Sequence, residues 1–212
     1  MGASFDILRK PWVPVLDAAG QKRELGLLET LERAHELQAI QTASPMEEYS
    51  VYRFLIVFLM DALRPEDGEE DIGGLLEAEQ FDMEAIQDYL TQCRKEGVSF
   101  DLFDAARPFL QTTYVEAWDR EAKPVSTLDY TIPNGNNHIH FDHRRNEISY
   151  TPGKALRMLL TAQNFCTAGA QGYPSNVNGA PPWFALIQGK TLFQTLVLGM
   201  IGTDEILLPF DE

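Results

Sequence analysis

Six consecutive residues, His138-Ile139-His140-Phe141-Asp142-His143, put four metal-capable side chains within one short string. Such a cluster could bind zinc, and a metal-bound water would then serve as a hydrolytic nucleophile. More histidines elsewhere would strengthen that reading. None follows His143, and the only other one, His35, falls on a predicted early helix. The competing reading is a loop whose histidines make ordinary hydrogen bonds. Gly189-Lys190-Thr191 ends like a phosphate-binding loop, but the required earlier glycine is replaced by Phe184. The acidic run Glu66 to Asp71 lacks the alternating oxygen ligands of a calcium loop. With no GxSxG elbow and no glycine-rich nucleotide fingerprint, these residues assemble no catalytic centre, and no cofactor is implied.

Two polar stretches remain. In the first, Asn134, Asn136 and Asn137 carry amides able to meet phosphates or base edges. Phe141 can stack on a base, and Arg144 and Arg145 can pair with phosphates. In the second, Ala168 to Gly179, the glycines Gly169, Gly172 and Gly179 would let the backbone approach a duplex closely, beside Asn176 and Asn178. The alternative is plain: Asn134 to Asn137 form a turn, Phe141 joins the core and the arginines are solvated. Charge distribution bears on the choice. The 212-residue chain carries 17 Lys+Arg against 32 Asp+Glu, a net of −15. That is the wrong sign for a nonspecific nucleic-acid coat. Residues 1–96 hold 20 acids and 9 bases, whereas residues 130–190 hold 2 acids and 5 bases. An anionic partner is therefore expected to meet the second half.

The elements that must position these residues read as follows. Phe5 to Leu8 and Trp12 to Leu16 suggest a hairpin, with a third short segment at Arg23 to Leu25 and Pro14 marking an edge strand. Leu27, Leu28, Leu31 and Ala34 follow at helical spacing. Ser44-Pro45-Met46-Glu47 has the form of a capping box and opens a helix apolar nearly all round to Leu63. Arg64 to Gly74 reads as a solvated loop. A second helix starts at Asp82, with Phe81 and Ile86 as a hydrophobic staple, Ile86, Tyr89, Leu90 and Cys93 as its inner stripe, and Gly97 as its stop. Thr112 to Asn137 is mostly polar without period. Thr151-Pro152 begins a third helix through Phe165, Trp183 to Gln188 reads as a strand, and Thr191 caps a last helix to about Met200. Helices outnumber strands without regular alternation, so the fold class is α+β, mixed helices with short antiparallel strands and long functional loops.

Length and composition agree with one α+β domain over residues 1–212. The longest apolar run, Phe54 to Met60, is far short of the ~20 residues of a membrane span. The amino terminus has no secretory pattern, and Cys93 and Cys166 suggest no disulfide framework. A cytoplasmic location is expected, with no membrane partner and both cysteines serving as core hydrophobes.

The histidine string resembles that of metallo-β-lactamase-type hydrolases, but those place it near the start of a strand-rich fold. Here about a hundred largely helical residues precede it. A broader resemblance covers nearly the whole chain. Its pieces, in order, are Phe5 to Leu8 with Pro11 to Val15; Leu25 to Leu37; Tyr52 to Leu63; Arg107 to Thr112; Gly135-Asn136-Asn137 with Phe141-Asp142-His143; Ala155 to Phe165; and Leu186 with Gly189 and Thr191 to Leu198. Together they resemble the amino-terminal domain of the CasA family, large subunits of the type I-E CRISPR surveillance complex (Cascade). The resemblance implies a non-catalytic subunit in antiviral defence. It would bind the 5′ end of the guide RNA, help recognise double-stranded target DNA beside a short adjacent motif, contact other Cascade subunits and recruit a helicase–nuclease effector. It implies that the loop entering the complex is roughly Asn134 to Arg145, with Phe141 as the RNA-contacting aromatic and His143 near a polar contact. The family's glycine-rich DNA loop would fall at Ala168 to Gly172, where only Gly169 and Gly172 are glycine. A CxxC zinc site seen in some relatives is absent, as is the helical bundle that ends family members. A standalone protein-binding relative that takes this subunit's place, and a metal hydrolase built on the histidine string, are the rival functions.

Overall fold

Alternating Val13 and Val15 turn inward from β1 (Val13–Asp17) and are buried. The computed structural model describes residues 3–112, 124–132, 148–165 and 184–203. Asp17 closes the first turn: its carboxylate accepts from the N–H groups of Ala19 and Gln21 at 3.0 and 2.9 Å, and Gly20 takes a φ of +76°. β2 (Lys22–Leu25) returns antiparallel with Val13 opposite Leu25, and β3 (Leu37–Ile40) pairs on the other side with Val15 opposite Ile40. The order is β2-β1-β3.

Two expectations fail here. Pro14 stands in the central strand, not at an edge. Its carbonyl accepts from Gln41 N–H at 2.9 Å, so its missing donor lies on the β3 side, just past the Val15–Ile40 pair. Phe5 to Leu8 forms no hairpin with β1. Asp6 makes an isolated antiparallel bridge to Asp101 instead, with Ile7 N–H donating to the Phe100 carbonyl and Leu102 N–H to the Phe5 carbonyl, both at 3.0 Å, and the chain then turns as the Asp6 carboxylate accepts from Leu8 N–H at 3.0 Å and its carbonyl from Lys10 N–H at 2.8 Å. Ile7 and Leu8 are buried all the same.

The helices follow their caps. α1 spans Leu27–Glu32 and α2 spans Pro45–Leu63. α3 (Glu70–Ala78) occupies part of the stretch expected to be loop. None of its residues is fully buried, but Ile72, Leu75 and Leu76 pack against the core, and that apolar stripe overrides the acidic surroundings. α4 (Met83–Lys95) is capped by Asp82, whose carboxylate accepts from Glu84 and Ala85 N–H at 2.9 and 3.1 Å. Phe81, Ile86, Leu90 and Cys93 are buried, and Gly97 ends the helix at φ +77°. α5 is Pro152–Phe165 and α6 is Leu192–Leu198, the latter capped by the Thr191 hydroxyl, which accepts from Gln194 N–H at 3.2 Å.

Phe184 to Gln188 forms no strand. The alternation persists, with Phe184 and Leu186 half-buried and Ala185 and Ile187 exposed, but among the described residues no strand pairs with it. Cys166 lies outside the described residues. The core gathers around α2, which packs on α5, α4, α6 and β3. At its centre Trp12 is fully buried, donating from Nε1 to the Ile7 carbonyl at 2.8 Å and meeting Phe54 edge-on at 5.7 Å. Among the described residues no helix is long and apolar enough to cross a membrane.

Candidate nucleic-acid interface

All ten residues singled out for nucleic-acid contact, Asn134, Asn136, Asn137, Phe141, His143, Arg144, Arg145, Gly169, Gly172 and Asn176, lie outside the described residues. So does the histidine string 138–143. Among the described residues no group of three or more His, Cys, Asp or Glu is placed to hold a metal ion. The structure instead defines the ends from which the two candidate segments depart.

The first segment is bracketed by charge. Ser44 caps α2, its hydroxyl accepting from Met46 N–H at 3.2 Å. Glu47 does not complete the capping box; the Ser44 N–H donates to the Thr42 hydroxyl at 3.2 Å instead. The Glu47 carboxylate turns inward, where Lys154 Nζ donates at 2.5 Å, Arg157 Nε at 2.7 Å and the Tyr130 hydroxyl at 3.2 Å. Two cations outbid one neutral N–H for a carboxylate whose side chain is only 4% exposed. Arg157 also donates to the Trp12 carbonyl and to Glu24, both at 2.8 Å, tying α5 to the sheet. Lys154 lies 5.9 Å from the Tyr130 ring centroid.

Beside this cluster, Tyr150 donates its hydroxyl to Asp129 at 2.9 Å, and the other Asp129 oxygen accepts from Thr131 N–H and hydroxyl at 3.0 and 2.6 Å. Burial opposes ionisation of Asp129, but the bonds from Thr131 and Tyr150 and the Lys154 charge hold its carboxyl below the usual range. Burial pushes the Tyr150 phenol up to about 12, with the Asp129 carboxylate adding to it. A hydrogen bond thus closes the chain on itself across residues 129 and 150.

The second segment is bracketed by aromatic rings. Phe165, the last residue of α5, meets Phe184 edge-on at 5.0 Å, and Tyr49 stacks on Phe184 at 4.2 Å while touching Phe165 at 6.0 Å. The chain leaves and returns within one ring contact. Pro45, Met46, Tyr52 and Leu186 complete an open crevice there of about 330 Å³. Both brackets stand on the first two turns of α2, at Glu47 and Tyr49.

Sequence reasoning misses these residues. Residue counting leaves Lys154 and Arg157 among the bases open to an anion, but the fold commits both to carboxylates. The legible signal is their three-residue spacing, which puts both on one face of α5. Nothing in the sequence marks Glu47 as their partner, since its place in a capping motif accounts for it equally well.

Comparison with known proteins decides the relationship. The family model for CRISPR-associated protein Cse1 matches residues 6–211. The chain belongs to the CRISPR-associated protein Cse1 family. The CRISPR-associated protein CasA/Cse1 of Thermus thermophilus is 33% identical over 204 residues, covering 93% of this chain but 39% of that protein. A crystal structure of Thermus thermophilus CasA superposes with a TM-score of 0.76 at 30% identity, over 98% of this chain and 41% of that one. A chain of a CRISPR RNA-guided surveillance complex shares the fold at TM-score 0.73 and 23% identity, over 94% of this chain and 44% of that one. The present sequence therefore spans about two fifths of the length of the Cse1 relatives it matches. Their α+β architecture is the one found here.

Proposed function

We propose that this Cse1-family chain acts within a type I-E surveillance complex (Cascade) as a non-catalytic, nucleic-acid-contacting domain formed by residues 1–212. Asn134, Asn136, Asn137, Phe141, His143, Arg144 and Arg145 contact the 5′ end of the guide RNA. Gly169, Gly172 and Asn176 approach target DNA beside its adjacent motif. Other Cascade subunits and a helicase–nuclease are the protein partners, and the work is done in the cytoplasm. The observation that carries this reading is the pairing of family membership with the meeting, on the first two turns of α2, of the described residues that flank both candidate segments: Tyr130 and Lys154 on Glu47, Phe165 and Phe184 on Tyr49. Fixed ends lower the ordering cost of presenting side chains to a partner.

Co-purification with guide-loaded backbone subunits at two salt concentrations tests it. Phe141→Ala should weaken association by about 1–3 kcal/mol through the loss of stacking, and binding should fall as salt rises. Association indifferent to both would refute the assignment of 134–145 as the contact segment.

A further inference from the structure

We propose that residues 124–132 form a strap that opens on its own while the core beneath stays folded, and that acid releases it. This stretch lacks what holds its neighbours. None of its residues belongs to the apolar core, and Val125 is largely exposed. Its backbone bonds close only on themselves: Thr127 N–H donates to the Pro124 carbonyl, Asp129 N–H to that of Ser126 and Ile132 N–H to that of Asp129, at 3.0 to 3.1 Å. Among the described residues no backbone bond joins it to a helix or strand. The single 3-10 turn within it, Val125–Leu128, rests on α5, and the remaining fastenings are polar. Tyr130 donates to Glu47 of α2 at 3.2 Å, and the Asp129 carboxylate accepts from Tyr150, two residues before α5, at 2.9 Å. An element with few buried apolar contacts and no ladder to its surroundings lies at the low end of local stability.

The core does not depend on these fastenings. With the strap open, Glu47 still has both Lys154 and Arg157, and Arg157 still donates to Glu24 and to the Trp12 carbonyl. Leu156 and Leu160 of α5 remain in the same apolar cluster as Val51 and Leu55 of α2. Opening therefore costs two phenol bonds and the contact of Lys154 with the Tyr130 ring, and it removes no core side chain.

Acid acts through Asp129. Thr131 and Tyr150 donate to its carboxylate, Lys154 and Arg157 stand on the α5 side, and Glu47 is the charged group that α2 adds to the cluster, beside Tyr130. Because the Asp129 carboxyl is held below the usual range, the charge that Tyr150, Thr131 and Lys154 meet is present above about pH 4 and is lost as pH falls through the lowered value.

Hydrogen exchange of the 212-residue chain, followed residue by residue at sub-denaturing urea concentrations, tests the strap. After correction for intrinsic rates, the amides of Thr127, Asp129 and Ile132 should be less protected than those of Leu55 and Leu59 in α2. Their protection should also depend less steeply on urea, because a strap exposes little surface when it opens. Tyr150→Phe should lower strap protection about fivefold, the scale of one hydrogen bond, and leave the slope shallow. Tyr130→Phe makes the same test on the other fastening if Tyr150→Phe does not fold. Acidification to about pH 3 should strip protection from the strap while α2 keeps its own. Asp129→Asn should show the low strap protection already at neutral pH, with no further loss in acid. Strap amides that share the protection and urea slope of Leu55 and Leu59 would mean that 124–132 opens only with the core, and the proposal is wrong. A full acid loss persisting in Asp129→Asn, or one shared equally by α2, would overturn release through Asp129.

Discussion

Glu47 shows how much one side chain's surroundings decide. At 4% exposure it holds two cations and a phenol, so truncating it removes the buried counter-charge of Lys154 and leaves Arg157 with the half-exposed Glu24 alone. Glu47→Ala should cost about 3–5 kcal/mol, read from urea unfolding. Glu29→Ala removes a longer pair with Arg33, 3.3 Å, whose side chains are one third to one half exposed. It should change stability by less than about 1 kcal/mol in the same assay. Equal losses would mean that burial is not what distinguishes the two. The Asp129–Tyr150 bond makes a matching prediction in pH. The Asp129 carboxyl is held low, so its contribution is full above about pH 4 and lost as pH falls through the lowered value. The Tyr150 phenol is pushed up to about 12, so its contribution is full below about pH 10 and lost as pH rises through that value. Unfolding midpoints across pH should show both limbs, with Asp129→Asn flattening the acid one and Tyr150→Phe the alkaline one.

Elements were legible where a local signal specifies them. Asp82 with Gly97, and Pro152 with the Leu156–Leu160 spacing, mark α4 and α5, because caps and helical periodicity act over a few residues. Strands were legible only in part. Phe184 to Gln188 has the right alternation and no ladder, while Pro14 looks like an edge residue and sits in the middle of the sheet. Pairing is settled by what lies alongside, often far away in the chain. Gly26 is a case where an element depends on close approach: a Cβ there would stand 2.7 Å from the Arg9 carbonyl oxygen. Gly26→Ala should push α1 off the 6–10 turn and cost about 1–3 kcal/mol, as overpacking does, measured by thermal or urea denaturation. A neutral substitution would show that this turn yields freely.

At the scale of the whole molecule the net charge of −15 dominates. Repulsion of that size opposes compaction and is screened by salt, so the thermal midpoint should rise as salt is raised from low to about physiological strength. A midpoint that falls would show that attractive surface pairs outweigh the repulsion. The positive charge open to a partner is narrower than residue counting implies, since Lys154 and Arg157 are consumed internally. This places greater weight on Arg144 and Arg145.

What the sequence determined unaided was whatever depends on neighbours along the chain: the caps of α2, α4 and α6, the apolar stripes, the α+β class, and the ordered run of short patterns that marks the Cse1 family. Tertiary structure alone decided the bases of the two candidate segments. Glu47 meets residues 130, 154 and 157, and Tyr49 meets 165 and 184, across separations of some eighty to more than a hundred residues. A carboxylate in a helix's first turn serves equally well as a cap or as a counter-ion. Only the arrival of two cations in space makes it the latter.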